Sequence, residues 1–274
     1  MTGAVLVWLV SSAAAATFLD WLLPQPELQT ITVTDFTPQG RLLRTPSLAA
    51  PLYYTAVNAG YCDIGGIIAG ERTISHKEVN HTMLKVLAKQ GLLPAPAGRT
   101  PDVILLWQWG TLNVERLANR NPSYSPQINE RAMLRFLGGD KVGIDTTPDA
   151  LFPEFELSPG LLHESTTAAA LRDVAHDNLF IVRVAAYATY LDNHGQPIAL
   201  WNTRISAPSK GYWLPDALPS MIVMAGPCIG RETAAPVWVR ASDRFHAEVT
   251  FGELKVIEFL DHNEATVINA GKTN

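Results

Sequence analysis

Hydrophobic and polar positions alternate along this chain with two different periods. In "LQTITVTDF", residues 28–36, Ile31, Val33 and Asp35 interleave with Thr30, Thr32 and Thr34, which is the period of a short strand. "LYYTAVNAGY", residues 52–61, is a second β-rich run and leads into a glycine-rich stretch. The period then becomes helical: Val79, Met83, Val86 and Leu87 fall on one stripe. Ser75 and Glu78 have the S-x-x-E spacing of a capping box, with Ser75 expected to accept from the N3 amide. Ile74 and Val79 stand at the staple positions, and Gly91 sits where a left-handed C-terminal residue is wanted. "PDVILLWQWG", residues 101–110, is an unbroken apolar run between proline and glycine, which predicts a strand buried on both faces.

Residues 119–160 are irregular and proline-rich, with one short helix predicted in "INERAMLRFLGG". Their apolar content reads as an excursion from the sheet and not as a core of its own. A further helix is expected in "ESTTAAALRDVAHDN", residues 164–178. "LFIVRVAAYATYL" (179–191) and "PIALWNTRIS" (197–206) then form a hairpin through Asn193, His194 and Gly195. "PDALPSMIVMAGP" predicts a helix stopped by Gly226 and Pro227, and "FHAEVTF" and "LKVIEFL" are strand-like. The order implies an α/β fold: a mixed β-sheet with helices packed on at least one face. The expected organisation is a lead-in at 17–50, a single α/β domain at 51–260 with its excursion at 119–160, and a tail at 261–274.

The succession of "YYTAVNAGYCDIG", the capped helix, "PDVILLWQWG" and the hairpin ending in "ALWNTRISAPS" resembles uncharacterised bacterial envelope proteins. Their small α/β domain is similar to that of the penicillin-binding-protein activator lipoproteins. The likeness spans residues 50–230 and rests on element order. It implies a binding or scaffolding domain with no assigned active site. This chain departs from that pattern in its long excursion and in the absence of a lipid-bearing cysteine.

Composition adds a location. "AVLVWLVSSAAAA", residues 4–16, is an uncharged apolar run ending in small residues, with cleavage expected before Thr17. It has the length of a secretory leader and is shorter than the roughly 20 residues of a bilayer span. The preceding "MTG" lacks the Lys or Arg usual in such leaders; a buried or interfacial helix is the competing reading. A leader places the mature chain in the periplasm or outside the cell. The net charge is −5, from 21 Lys and Arg against 26 Asp and Glu, with no basic run, which argues against a nucleic-acid partner. The only two cysteines, Cys62 and Cys228, either pair in an oxidising compartment or remain buried thiols.

Candidate chemistry is sparse. In "GYCDIGGIIAG", residues 60–70, Gly65 and Gly70 have P-loop spacing, but Glu71 and Arg72 follow where Lys and Ser or Thr are required. No G-x-G-x-x-G fingerprint occurs, so neither nucleotide nor other cofactor is expected, and the glycines read as a turn or bulge where backbones approach closely. Glu78 with His81 and Asp173 with His176 have an i, i+3 spacing used in carboxylate-bridged metal sites. His76 and His81 diverge around the helix, and surface roles account for all of these, so no metal is expected. There is no G-x-S-x-G elbow, and Asp63 disfavours a thiolate at Cys62. The remaining candidates are aromatic: Trp107, Trp109, Trp201 and Trp213, core by default. If exposed together, they would form a contact surface with Asp63, Glu71 and Arg204 as its polar fringe. The resulting expectation is a non-enzymatic, exported envelope domain that binds a protein or polymer. The alternative is an envelope hydrolase with a spatially assembled acid pair or Cys–His pair.

Overall fold

The computed structural model describes residues 27–64, 74–113, 130–146 and 165–245, together with the backbone of 257–259 and 265–267. The apolar run at 4–16, Glu71 and most of the glycine stretch, the remainder of the 119–160 segment and "FHAEVTF" beyond Phe245 lie outside the described residues. No described helix is long and apolar enough to cross a membrane.

Seven strands form one mixed sheet. They are β1 (Gln29–Phe36), β2 (Leu52–Ile64), β3 (Leu92–Pro94), β4 (Val103–Leu112), β5 (Leu179–Leu191), β6 (Pro197–Pro208) and β7 (Val237–Arg240), in the spatial order β3-β2-β4-β5-β6-β1-β7. β3, β2 and β4 run parallel; every pair from β4 to β7 is antiparallel. The helices are α1 (Pro38–Arg41), α2 (His76–Lys89), α3 (Glu130–Leu137), α4 (Thr166–Ala175), α5 (Leu214–Ala225) and α6 (Ala241–Arg244). A separate unit beginning at Phe245 contains an antiparallel pair, β8 (Ile257–Phe259) and β9 (Ala265–Val267).

The expected α/β fold is formed, with helices on both faces of the sheet. On one face, Val79, Met83 and Leu87 of α2 and Met221 and Ile222 of α5 pack on Val103, Leu105, Trp107, Val182, Val184 and Ile205. On the other, Met133, Leu134 and Leu137 of α3 and Leu171 of α4 pack on Ile31, Leu112 and Ile181. The second core revises the reading of 119–160 as an excursion, because its helix supplies the amphipathic face that closes this layer. Likewise the expected lead-in contributes β1, an inner strand between β6 and β7. The alternation of β1 buries both faces. Ile31 and Val33 enter one layer, while Thr30, Thr32 and Thr34 are completely enclosed on the other. Burial of the Thr34 hydroxyl is offset by hydrogen bonds: it donates to the Cys228 carbonyl at 2.7 Å and meets the Thr203 hydroxyl at 2.8 Å.

Local signals worked by slightly different means than the spacing suggested. The Ser75 hydroxyl caps α2 but accepts from the Lys77 amide at 3.3 Å instead of from Glu78, whose amide bonds the Ser75 carbonyl. Gly91 follows α2 with φ 78° and returns the chain into β3. β4, expected to be buried on both faces, is buried on the Val103–Leu105–Trp107–Trp109 side and only half-buried at Ile104, Leu106 and Gln108. The helices of the second face cover one end of the strands, which leaves the other end of that face open to this extent.

Candidate functional site

The aromatic contact surface is not formed. Trp107, Trp109 and Trp201 are 2%, 1% and 3% exposed, so they belong to the core, and Trp213 alone reaches the surface. The Trp107 indole donates to Asn80 Oδ1 of α2 at 3.1 Å, and the His76 ring packs edge-on against Trp109 with centroids 5.0 Å apart. Strand alternation had placed both tryptophans on one face. That face is the one α2 covers, which alternation by itself does not reveal.

Asp63 accepts from the Thr111 hydroxyl of the neighbouring strand. Cys62 and Cys228 are both free thiols. Cys62 sits on β2, while the Cys228 carbonyl is held by Thr34 on β1, four strand spacings away. At about 4.8 Å per strand this is ~19 Å along the sheet, beyond the reach of a disulfide. Burial pushes the Cys228 thiol up, opposed by Arg244 and Arg231. Register places Cys62 opposite Gly110, on the face of α3 and α4, whereas His76 packs on the other face. A Cys–His pair is therefore not assembled there. The Glu78–His81 and Asp173–His176 pairs are likewise separated, on α2 and α4, by the sheet.

Arg204 is a structural tie. Its guanidinium donates to Asp35 Oδ2 and to the Arg135 carbonyl near the C-terminal end of α3. Lys141 adds a 2.8 Å ion pair to Asp35 Oδ1 and a 2.7 Å bond to the Thr233 carbonyl. Arg183 stands directly across from Arg204 in the register, an unfavourable like-charge pair that Asp35 offsets. Burial lowers the Arg204 pKa, and the Asp35 carboxylate opposes that shift. The network anchors α3 and the segment around Lys141 to β1 and β6, and it leaves only the Arg204 Nε, among the described bonds, without a partner.

The surface with unsatisfied groups lies at the other side of the sheet, along the outer edge of β2. β3 covers this edge only from Leu52 to Tyr54. Within that short pair, the Leu52 amide bonds the Gly91 carbonyl and the Tyr54 carbonyl accepts from the Ala95 amide. Both groups point outward, so by alternation do the N–H and C=O of Ala56 and Asn58. No described strand pairs with these residues, and Thr55, Ala56 and Val57 are exposed. Prolines at 94, 96 and 101 explain why β3 stops: they remove donors and fix φ. Beyond Asn58, a bulge shifts the register at Gly60, whose φ is 79° and whose amide bonds Asn58 Oδ1 at 2.8 Å.

A cleft of about 420 Å³ opens where β3 ends, lined by Tyr54, Thr55, Ala56, Leu84, Pro94, Ala95, Arg99 and Pro101. Its volume falls within the range of small-ligand and peptide pockets. Two residues that border it lie on opposite faces of β2, Tyr54 on the face that α2 covers and Arg99 over the Tyr53 ring on the other. The Tyr54 side chain is 1% exposed and its hydroxyl has no hydrogen-bond partner; burial pushes its pKa up to about 12. The Arg99 guanidinium lies 3.6 Å over the Tyr53 ring, and no described carboxylate pairs with it. The sequence reading missed both residues. The available signal was the proline-punctuated "LLPAPAGRTP" after a helix stop, which shortens an edge strand while leaving its longer neighbour in place.

No protein-family model and no curated protein sequence matches the chain.

Proposed function

We propose that this chain is an exported envelope domain that binds a partner polypeptide without catalysis, using the outer edge of β2. The observation that carries the reading is the pair of outward backbone positions at Ala56 and Asn58, which no described strand pairs, on a stretch exposed at Thr55–Val57. An open edge of this kind is a template for strand addition, in which main-chain hydrogen bonds supply affinity and adjoining pockets supply selectivity. Natural sheets blunt exposed edges with charge or cover them. Residues 55–59, Thr-Ala-Val-Asn-Ala, carry no charge. The apolar run at 4–16 and the likeness to envelope proteins support the location. The expected aromatic surface contributes nothing to the reading, since Trp107, Trp109 and Trp201 are core and Trp213 is exposed without them.

Two measurements test it. The full chain is applied to an array of random-sequence decapeptides and to the same array methylated at alternate backbone amides. Strand addition predicts bound sequences of high β-propensity whose binding is lost on methylation; binding indifferent to methylation would exclude an edge mode. For export, an alkaline phosphatase reporter fused after residue 26 is expected to be active, as it is only outside the cytosol, and an inactive but stable fusion would remove the envelope assignment.

A further inference from the structure

Building on the edge-binding reading, we infer that the cleft captures the C-terminal carboxylate of an extended peptide that adds antiparallel to β2. The argument is one of polarity. A strand added along Ala56 and Asn58 cannot continue past Tyr54, because β3 and the segment after it already occupy that edge. The added strand therefore ends at the cleft. β2 runs from Leu52 towards Ile64, so a parallel peptide would bring its amino terminus there and an antiparallel one its carboxy terminus.

The cleft distinguishes the two. Arg99 repels an ammonium group and pairs with a carboxylate, for which a guanidinium is suited by its planar set of donors. Leu84, Ala95 and Pro101 give the last side chain an apolar lining. Hydrogen bonds to a charged acceptor are about twice as strong as neutral ones, so blocking the carboxylate is expected to weaken binding about tenfold or more.

The test uses full chain and the decapeptides from the array, synthesised with a free carboxy terminus, with a C-terminal amide, and with an internal Asp ahead of the amide. The free acid is expected to bind at least about tenfold more tightly than the amide. In Arg99→Gln this preference should shrink to within about threefold, with amide binding unchanged. Equal binding of acid and amide, still abolished by backbone methylation, would overturn C-terminal capture and leave edge pairing standing. Rescue of the amide by the internal Asp would identify a side-chain carboxylate and also overturn it. Loss of methylation sensitivity would instead strike at the edge reading itself.

Discussion

Tyr54→Phe is the most informative single substitution. Tyr54 is 1% exposed and its hydroxyl has no partner, so the folded state carries the desolvation cost of that group uncompensated. Such costs run about 1–3 kcal/mol, and deleting the oxygen is expected to raise stability by about 1 kcal/mol, or ~2–4 °C in melting temperature for a domain of this size. A second arm uses pH. An unfolded tyrosine loses its proton near pH 10, whereas burial holds Tyr54 protonated up to about 12. The wild-type contribution is therefore complete below about pH 10 and lost as pH rises towards 12, at about 1.4 kcal/mol per unit. The Phe variant lacks that component, so its advantage should grow by about 1 kcal/mol between neutral pH and pH ~11. Urea denaturation followed by tryptophan fluorescence reads both arms, since Trp107, Trp109 and Trp201 are enclosed. A loss of more than about 1 kcal/mol at neutral pH would refute the reasoning, because it would mean the hydroxyl is bonded in the folded state.

Three further expectations concern the framework. Asp35→Ala removes the carboxylate shared by Arg204 and Lys141 and should cost about 2–3 kcal/mol in urea denaturation; combining it with Arg204→Leu should show coupling above about 1 kcal/mol, and additive costs would dissolve the network. Gly91→Ala and Gly98→Ala both place a side chain at positive φ, but only the Gly91 Cβ would lie 2.4 Å from the Ser47 backbone, so its cost should exceed that of Gly98 by about 2 kcal/mol or more. Equal costs would remove the steric argument. Unreduced, denatured protein should titrate as two thiols per chain, with Cys228 alkylating more slowly than free cysteine in the folded state; a single disulfide-linked mass would contradict the separation across the sheet.

Much of the scaffold was legible because it depends on local periodicity. The stripe Val79–Met83–Val86–Leu87, the Ser75 cap and Gly91 marked α2, and the turn before Gly195 marked the β5–β6 hairpin. Long-range partners left no such trace. Alternation in β1 set its threonines apart from Ile31 and Val33 without revealing that α5 and the segment at Cys228 cover them and satisfy Thr34. Arg204 read as polar fringe, although its partners Asp35 and Arg135 are 169 and 69 residues away. The tryptophans illustrate the same limit: alternation established that Trp107 and Trp109 share a face, and only the packing of α2 established which face it is. The cleft at Tyr54 and Arg99 was hidden for a related reason. It exists because β3 is much shorter than β2, and strand pairing is set by the fold as a whole.

Residue-resolved amide hydrogen exchange of β2 in the free protein tests the central claim most directly. If the outer edge is open, Thr55 and Val57, whose amides face β4, exchange slowly, while Ala56 and Asn58 exchange at rates close to those of exposed backbone and become protected when a decapeptide binds. Uniform protection of all four amides in the unliganded chain would show the edge already occupied and would contradict the account.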